Sequence, residues 1–164
     1  METKFMQAAI KEAQKALSCD EVPIGAVIVL GGKIIARAHN FTENSQIATR
    51  HAEMSAIEKA NRKLKSWRLE GAEMYVTLEP CAMCAGAIAG ARIKRVYFGA
   101  YERKSGCAVS KYPILTDNGL NHTVEFVGGV EEECCARLIK DYFAAKRKEA
   151  KKISVLAAKK KQNH

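Results

Sequence analysis

The chain has 164 residues and carries 27 Lys and Arg against 18 Asp and Glu, a formal balance of +9. That length suffices for one domain with a full core and no disulfide staples, and 48% hydrophobic with 27% charged residues is an ordinary globular composition. No apolar run approaches the roughly 18 residues of a membrane span, so a helical membrane protein is excluded. The opening Met1-Glu2-Thr3-Lys4-Phe5-Met6-Gln7 lacks the basic start and apolar stretch of a signal peptide. A cytoplasmic, reducing location is therefore expected, with the six cysteines serving as thiols or metal ligands.

The elements follow in order. Phe5, Ala9, Ala13, Ala16 and Leu17 recur at helical spacing and predict an amphipathic first helix. Gly25 to Leu30 and Lys33 to Ala38 are strand-like runs joined by Gly31-Gly32, a hairpin signal because primed turns need positive φ. A polar stretch, Asn40 to Gln46, precedes a helix over Ala52 to Leu64. Glu73 to Leu78 reads as a strand, Cys81 to Ala89 as a small-residue helix, Arg95 to Ala100 as a strand and Thr123 to Val127 as a fifth. A last helix starts near Val130 with Cys134, Leu138, Tyr142 and Phe143 on one face. Alternating helices and strands after a hairpin predict an α/β layered fold with a mixed sheet.

Charge divides the chain unevenly. Ala136 to His164 holds ten Lys/Arg and two Asp/Glu, a balance of +8, which leaves +1 for residues 1–135. A nearly neutral domain with a basic C-terminal arm points to a polyanionic partner such as nucleic acid, because releasing condensed counterions favours phosphate binding. A solubilising tail explains the same charge.

Two segments carry chemistry: His51-Ala52-Glu53 and Pro80-Cys81-Ala82-Met83-Cys84, each opening a predicted helix. Cys81 and Cys84, three apart at a helix start, can turn both sulfurs to one ion, and the helix N-terminus favours the thiolate. With His51 they make one His and two Cys, a zinc set that leaves a fourth position for water. Glu53 then stands beside that water as general acid and base. Either motif alone is weak, since Cys-x-x-Cys also marks redox pairs and structural zinc. The combination of His-x-Glu with Pro-Cys-x-x-Cys is the signature of zinc nucleobase deaminases. Cys19, Cys107, Cys134 and Cys135 sit in no second paired motif and are expected to be buried free thiols.

With these residues in view, the sequence resembles the bacterial tRNA-specific adenosine deaminases, within the cytidine-deaminase-like superfamily. The resemblance rests on Glu21-Val22-Pro23-Ile24-Gly25-Ala26-Val27, His39-Asn40, His51-Ala52-Glu53, Thr77 to Ala87, Phe98-Gly99-Ala100 and Leu120-Asn121-His122. It implies a three-layer α/β/α fold around a mixed five-stranded sheet. A deaminase domain would span residues 1–148, with a basic extension over residues 149–164.

The resemblance also implies a reaction. His51, Cys81 and Cys84 would hold one Zn2+ per subunit, and Glu53 would shuttle the proton while water replaces the amine at C6 of a wobble adenosine, giving inosine. The implied partners are a tRNA anticodon stem-loop and a second copy of the chain in a homodimer. Asn40, Val22, Pro23, Glu102, Lys104, Asn121 and Phe143 match positions that surround the nucleotides.

Each of these positions has a plainer structural account. Asn40 suits a strand end and Asn121 a turn, and Val22 and Pro23 shape the entry to a strand. Glu102 and Lys104 suit a solvated loop, and Phe143 a packed helix face. His39, His122 and His164 have no partner motif and read as structural or exposed. Arg50 beside a ligand, and the Tyr101-Glu102-Arg103 loop, depart from the family pattern and bear on RNA contact rather than on zinc. Two other readings share the zinc motif. One is a free-nucleobase or nucleoside deaminase of guanine or cytosine type, and the other is a non-catalytic zinc-stabilised RNA-binding protein, which requires a fourth protein ligand.

Overall fold

The computed structural model describes residues 2–116 and 119–162, with side chains up to residue 160. Ten elements follow in order: α1 (Glu2–Ser18), β1 (Gly25–Leu30), β2 (Lys33–His39), α2 (Thr42–Ser45), α3 (Ala52–Leu64), β3 (Glu73–Leu78), α4 (Ala82–Gly90), β4 (Arg95–Ala100), β5 (Glu125–Val127) and α5 (Glu132–Gln162). The strands form one mixed sheet in the order β2-β1-β3-β4-β5. β1 runs antiparallel to β2 and β3, whereas β3, β4 and β5 are parallel.

The hairpin forms as its glycines predict. Gly31 and Gly32 hold φ of 57° and 74°, the left-handed region that a primed turn demands. Alternate residues of each strand then serve opposite faces of the sheet. Ala26, Ile28, Met74, Val76, Val96 and Phe98 bury against α3 and α4 on one face. Val27, Val29, Tyr75 and Tyr97 face α1 and the start of α5 on the other. Tyr75 stacks on Tyr97 with ring centroids 4.4 Å apart, and Phe5 of α1 tilts onto Tyr75 at 5.2 Å. Full burial of each such apolar side chain is worth about 1.5–3 kcal/mol, so two filled faces hold three layers together.

Several details depart from expectation. The polar stretch after β2 contains the one-turn helix α2. β5 is shorter than the run from Thr123, because Val124 is buried and gives its N–H to the Leu115 carbonyl, 2.8 Å away, instead of to the sheet. The buried stripe of α5 runs through Cys135 and Tyr142, whereas Cys134 and Phe143 are exposed. Leu17 is likewise exposed, and Met6 and Ile10 take the core side of α1. α5 continues through residue 148 without a break, so the basic extension is helical to Gln162. Among the described residues, no helix is long and apolar enough to cross a membrane.

Candidate metal centre

The centre is built where two helices begin on the same face of the sheet. His51 is the residue before α3 and Cys81 the residue before α4, and both have extended backbone, with φ of −73°. In that conformation each side chain leaves the helix end and turns to the space between the two N-termini. Cys84 follows one turn into α4 and is fully buried. His51 Nδ1 lies 3.7 Å from Cys81 Sγ and 3.6 Å from Cys84 Sγ. All three ligand atoms fall within 4.8 Å of one another, and no fourth residue joins the group among the described residues.

The residues fit zinc by geometry and by chemistry. Zinc bonds of about 2.3 Å to sulfur and about 2.0 Å to nitrogen give a tetrahedral nitrogen–sulfur edge of about 3.5 Å, close to both separations found. The Cys84 thiol donates towards Cys81 and, with His51, holds the Cys81 thiol down at about 4 in spite of burial. His51 is raised by its contact with Cys81, and Cys84 is pushed far up by that same sulfur and by burial. A cation at the centre releases these protons.

Glu53 completes the site from the first turn of α3. It is 4% exposed, and burial pushes its carboxyl up to about 7. Its Oε2 is buried with no hydrogen-bond partner. A carboxyl oxygen kept dry and unpaired is costly unless a water or substrate completes it.

Asn40 belongs to the centre through the backbone. Its Oδ1 accepts the Ala52 N–H at 2.9 Å, so it caps the residue between His51 and Glu53. The loop from Phe41 to Arg50 is closed at its base by the Phe41 N–H on the Arg50 carbonyl at 3.0 Å. Arg50 turns its guanidinium to Glu58, 3.2 Å away.

The remaining expected residues are spread along the rims. Val22 is half-buried and Pro23 buried, in the turn from α1 to β1. Glu102 and Lys104 lie in the loop after β4, where Glu102 Oε1 accepts the Lys104 N–H at 2.9 Å. That loop meets the centre directly, since Gly106 forms a β-bridge with Cys81. Asn121 is exposed. Phe143 is exposed on α5, edge-on to Tyr142, and α5 packs on the sheet face opposite α3 and α4. Nothing joins Phe143 to the metal group among the described residues.

His39 is half-buried against Glu12 at 3.4 Å, and His122 Nε2 lies 2.7 Å from the Ile93 carbonyl. His164 lies outside the described residues. Cys107 and Cys135 are buried thiols as expected, but Cys19 and Cys134 are exposed. One residue that motif reading passes over is Glu79, two positions before Cys81. It is 2% exposed and accepts several hydrogen bonds from the loop after β4. Its place beside Pro80-Cys81 was the available signal.

Residues 1–147 match the MafB19-like deaminase family. The chain is 50% identical over 147 residues to the tRNA-specific adenosine deaminase of Bacillus subtilis, covering 90% of this chain and 91% of that one. It is 45% identical over 139 residues to the protein of the same name in Aquifex aeolicus, covering 85% and 91%. Among solved structures, a deaminase studied for A-to-I editing at the wobble position of transfer RNA superimposes with a TM-score of 0.80 at 44% identity. That match covers 83% of this chain and 99% of the other. A guanine deaminase from Nitrosomonas europaea shares the fold at a TM-score of 0.71 and 19% identity, covering 87% and 84%.

Proposed function

The chain belongs to the MafB19-like deaminase family, and from that premise we propose that it deaminates the wobble adenosine of a tRNA anticodon to inosine. The observation that carries the chemistry is the group His51, Cys81 and Cys84 beside a buried Glu53 whose Oε2 has no partner. The relatives at about half identity over nine-tenths of the chain, together with the wobble-editing structure, support the substrate.

Zinc is the metal we assign to the centre, held by His51 Nδ1 and the two sulfurs. When bound, it would supply Lewis-acid activation of the attacking water. Glu53 takes the first proton of the attacking water at Oε2 and delivers it to the purine ring, then takes the second from the hydroxyl formed at C6 and delivers it to the departing amine. The balance is adenosine plus water giving inosine plus ammonia. A carboxyl held near neutrality by burial is suited to both directions of that transfer. Asn40 holds the first turn of α3, so that His51 and Glu53 keep their relative placement.

The anticodon loop presents unstacked bases, which lowers the cost of seating an adenine in a pocket. Val22 and Pro23 line the pocket entrance, and Asn40 offers its free amide face to the target nucleotide. Glu102, Lys104 and Asn121 meet the flanking nucleotides, and Phe143 offers an exposed ring to the RNA. The working unit is a homodimer of cytoplasmic subunits. Residues 1–148 form the deaminase domain, and residues 149–164 form a basic arm for the phosphates of the stem. The +8 balance of the last 29 residues favours this reading over deamination of a free base.

Zinc-loaded protein incubated with an anticodon stem-loop bearing a wobble adenosine, alongside free adenosine, guanine and cytidine, tests the assignment. Inosine in the stem-loop alone is the expected result. Ammonia from a free base with the RNA untouched overturns the partner while keeping the metal chemistry.

A further inference from the structure

Glu79 opens the strand-to-helix corner that delivers Cys81 to the centre, and its buried carboxylate is surrounded by donors from a single loop. Oε1 accepts the N–H groups of Ala108, Val109 and Ser110 at 3.2, 2.9 and 2.9 Å. Oε2 accepts the N–H of Glu102 at 3.0 Å and the hydroxyl of Ser110. All five donors belong to the loop after β4, from residue 101 to residue 110. Hydrogen bonds to an ionised acceptor are shorter and stronger than neutral ones, so one carboxylate organises the whole loop.

The loop is held to the same corner at two further points. The Cys107 N–H donates to the Pro80 carbonyl at 2.7 Å, and Gly106 bridges Cys81. A side chain at Gly106 would collide with the Glu79 carboxylate and the Glu102 carbonyl, so glycine is required where the loop crosses. The tripeptide Glu79-Pro80-Cys81 thus presents a metal ligand at one end and a loop anchor at the other.

We propose that Glu79 is a positioning residue that fixes the loop of residues 101–110 beside the metal centre and thereby sets how tightly the RNA strand is held. The inference rests on the RNA-deaminase reading above and assigns Glu79 no contact with reacting atoms. Glu102 and Lys104 reach the substrate from a loop whose backbone is already ordered, so binding carries no cost of ordering that backbone. A glutamine at 79 turns an NH2 group against N–H donors and leaves some of them unpaired. The loop loosens while His51, Cys81, Cys84 and Glu53 stay in place.

The test compares zinc-loaded full-length protein with its Glu79→Gln variant on the wobble-adenosine stem-loop. The variant is expected to keep one zinc per chain and a kcat within about threefold, while KM rises roughly tenfold or more. Trypsin should cut after the exposed Arg103 and Lys104 about tenfold faster than in the parent protein. Ser110→Ala, which deletes one hydroxyl bond, should move KM and cleavage in the same direction by about threefold and decides the matter if Glu79→Gln does not fold. Loss of zinc with a fallen kcat and an unchanged KM would overturn the proposal, placing Glu79 in support of α4 instead. Unchanged KM and unchanged cleavage in both variants would also overturn it. If the parent protein leaves the stem-loop untouched, the substrate reading fails. The trypsin comparison alone then decides the positioning role, and equal cleavage rates sink it.

Discussion

The side-chain oxygen of Asn40 accepts the backbone N–H of Ala52, 2.9 Å away, and so ties the end of β2 to the first turn of α3. Ala52 stands between the candidate ligand His51 and the carboxyl Glu53. The two partners are separated in the chain by a loop and a one-turn helix, yet their bond fixes the angle at which both functional side chains leave α3. Asn40 is therefore a structural part of the centre whatever else its amide meets.

Removing that acceptor has a separable signature. Asn40→Ala is expected to lower stability by about 1 kcal/mol, the usual cost of a missing helix cap, and to reduce deamination at least about tenfold. Asn40→Asp keeps an oxygen for the Ala52 N–H and should restore the melting temperature. Thermal denaturation of both variants checks it. Equal destabilisation by Asp and Ala would mean that the bond to Ala52 contributes nothing.

Glu53→Gln keeps size and position but cannot take up the proton. Deamination should fall by about 100- to 10,000-fold with zinc content unchanged. In metal-stripped protein the same change alters the pH profile of stability. Burial raises the folded-state carboxyl from 4.5 to about 7, so the folded chain binds this proton more tightly than the unfolded chain. Stability from this group is then greatest below the unfolded value and declines as pH rises through that window, by an amount on the order of 3 kcal/mol. Glu53→Gln should flatten this decline, as read by denaturant titrations from about pH 4 to about pH 8.

Glu12 of α1 predicts the opposite slope. Burial works against its charge, but Lys15 at 2.7 Å and His39 at 3.4 Å outweigh it, and the carboxyl sits below its ordinary value. A depressed carboxylate contributes stability above the unfolded value and loses it as pH falls through the folded one. Glu12→Gln should cost roughly 1–2 kcal/mol at neutral pH and almost nothing well below about pH 4. A constant penalty across that range would contradict the assignment.

Zinc should bind once per chain, with two sulfurs, one nitrogen and one light atom in the absorption spectrum. Cys84→Ala, at a fully buried ligand position, should abolish both zinc retention and deamination. Chelation should lower the melting temperature of the parent protein but leave that of Cys84→Ala unmoved. A third sulfur in the spectrum would indicate a closed structural site.

Truncation after Lys148 removes Lys151, Lys152, Lys159, Lys160 and Lys161 from a helix whose described side chains are exposed from residue 147 to residue 160. The core should melt at the same temperature. Stem-loop affinity should fall, and the slope of log K against log salt should become shallower by about 0.7–0.9 for each phosphate that the arm no longer neutralises. An unchanged slope would mean that the arm does not touch the RNA.

Much of the fold was legible in the residues themselves. Hydrophobic period placed five strands and the main helices, because a face that must be buried repeats every 2 or 3.6 residues whatever its partner. The candidate ligand set was equally local, since thiolate and imidazole at those spacings suit zinc. What period does not encode is which face of a marginal helix wins. Cys134 and Cys135 are adjacent and similar, and only the packing of α5 on the sheet buries the second. Phe143 fitted the apolar stripe of α5 but is exposed, for the same reason.

By itself, then, the sequence determined the element types and singled out the candidate ligand set and the carboxyl beside it. These depend on side-chain chemistry and on spacing within a few residues. Only the tertiary structure decided that β3 and β4 lie parallel within the sheet and that the starts of α3 and α4 meet on one of its faces, which brings His51 and Cys81 together. It alone made Glu79 the anchor of a loop and Asn40 the cap of a helix. Both roles come from backbone donors meeting a buried oxygen acceptor, and no motif records where a backbone N–H will point until the chain has folded around it.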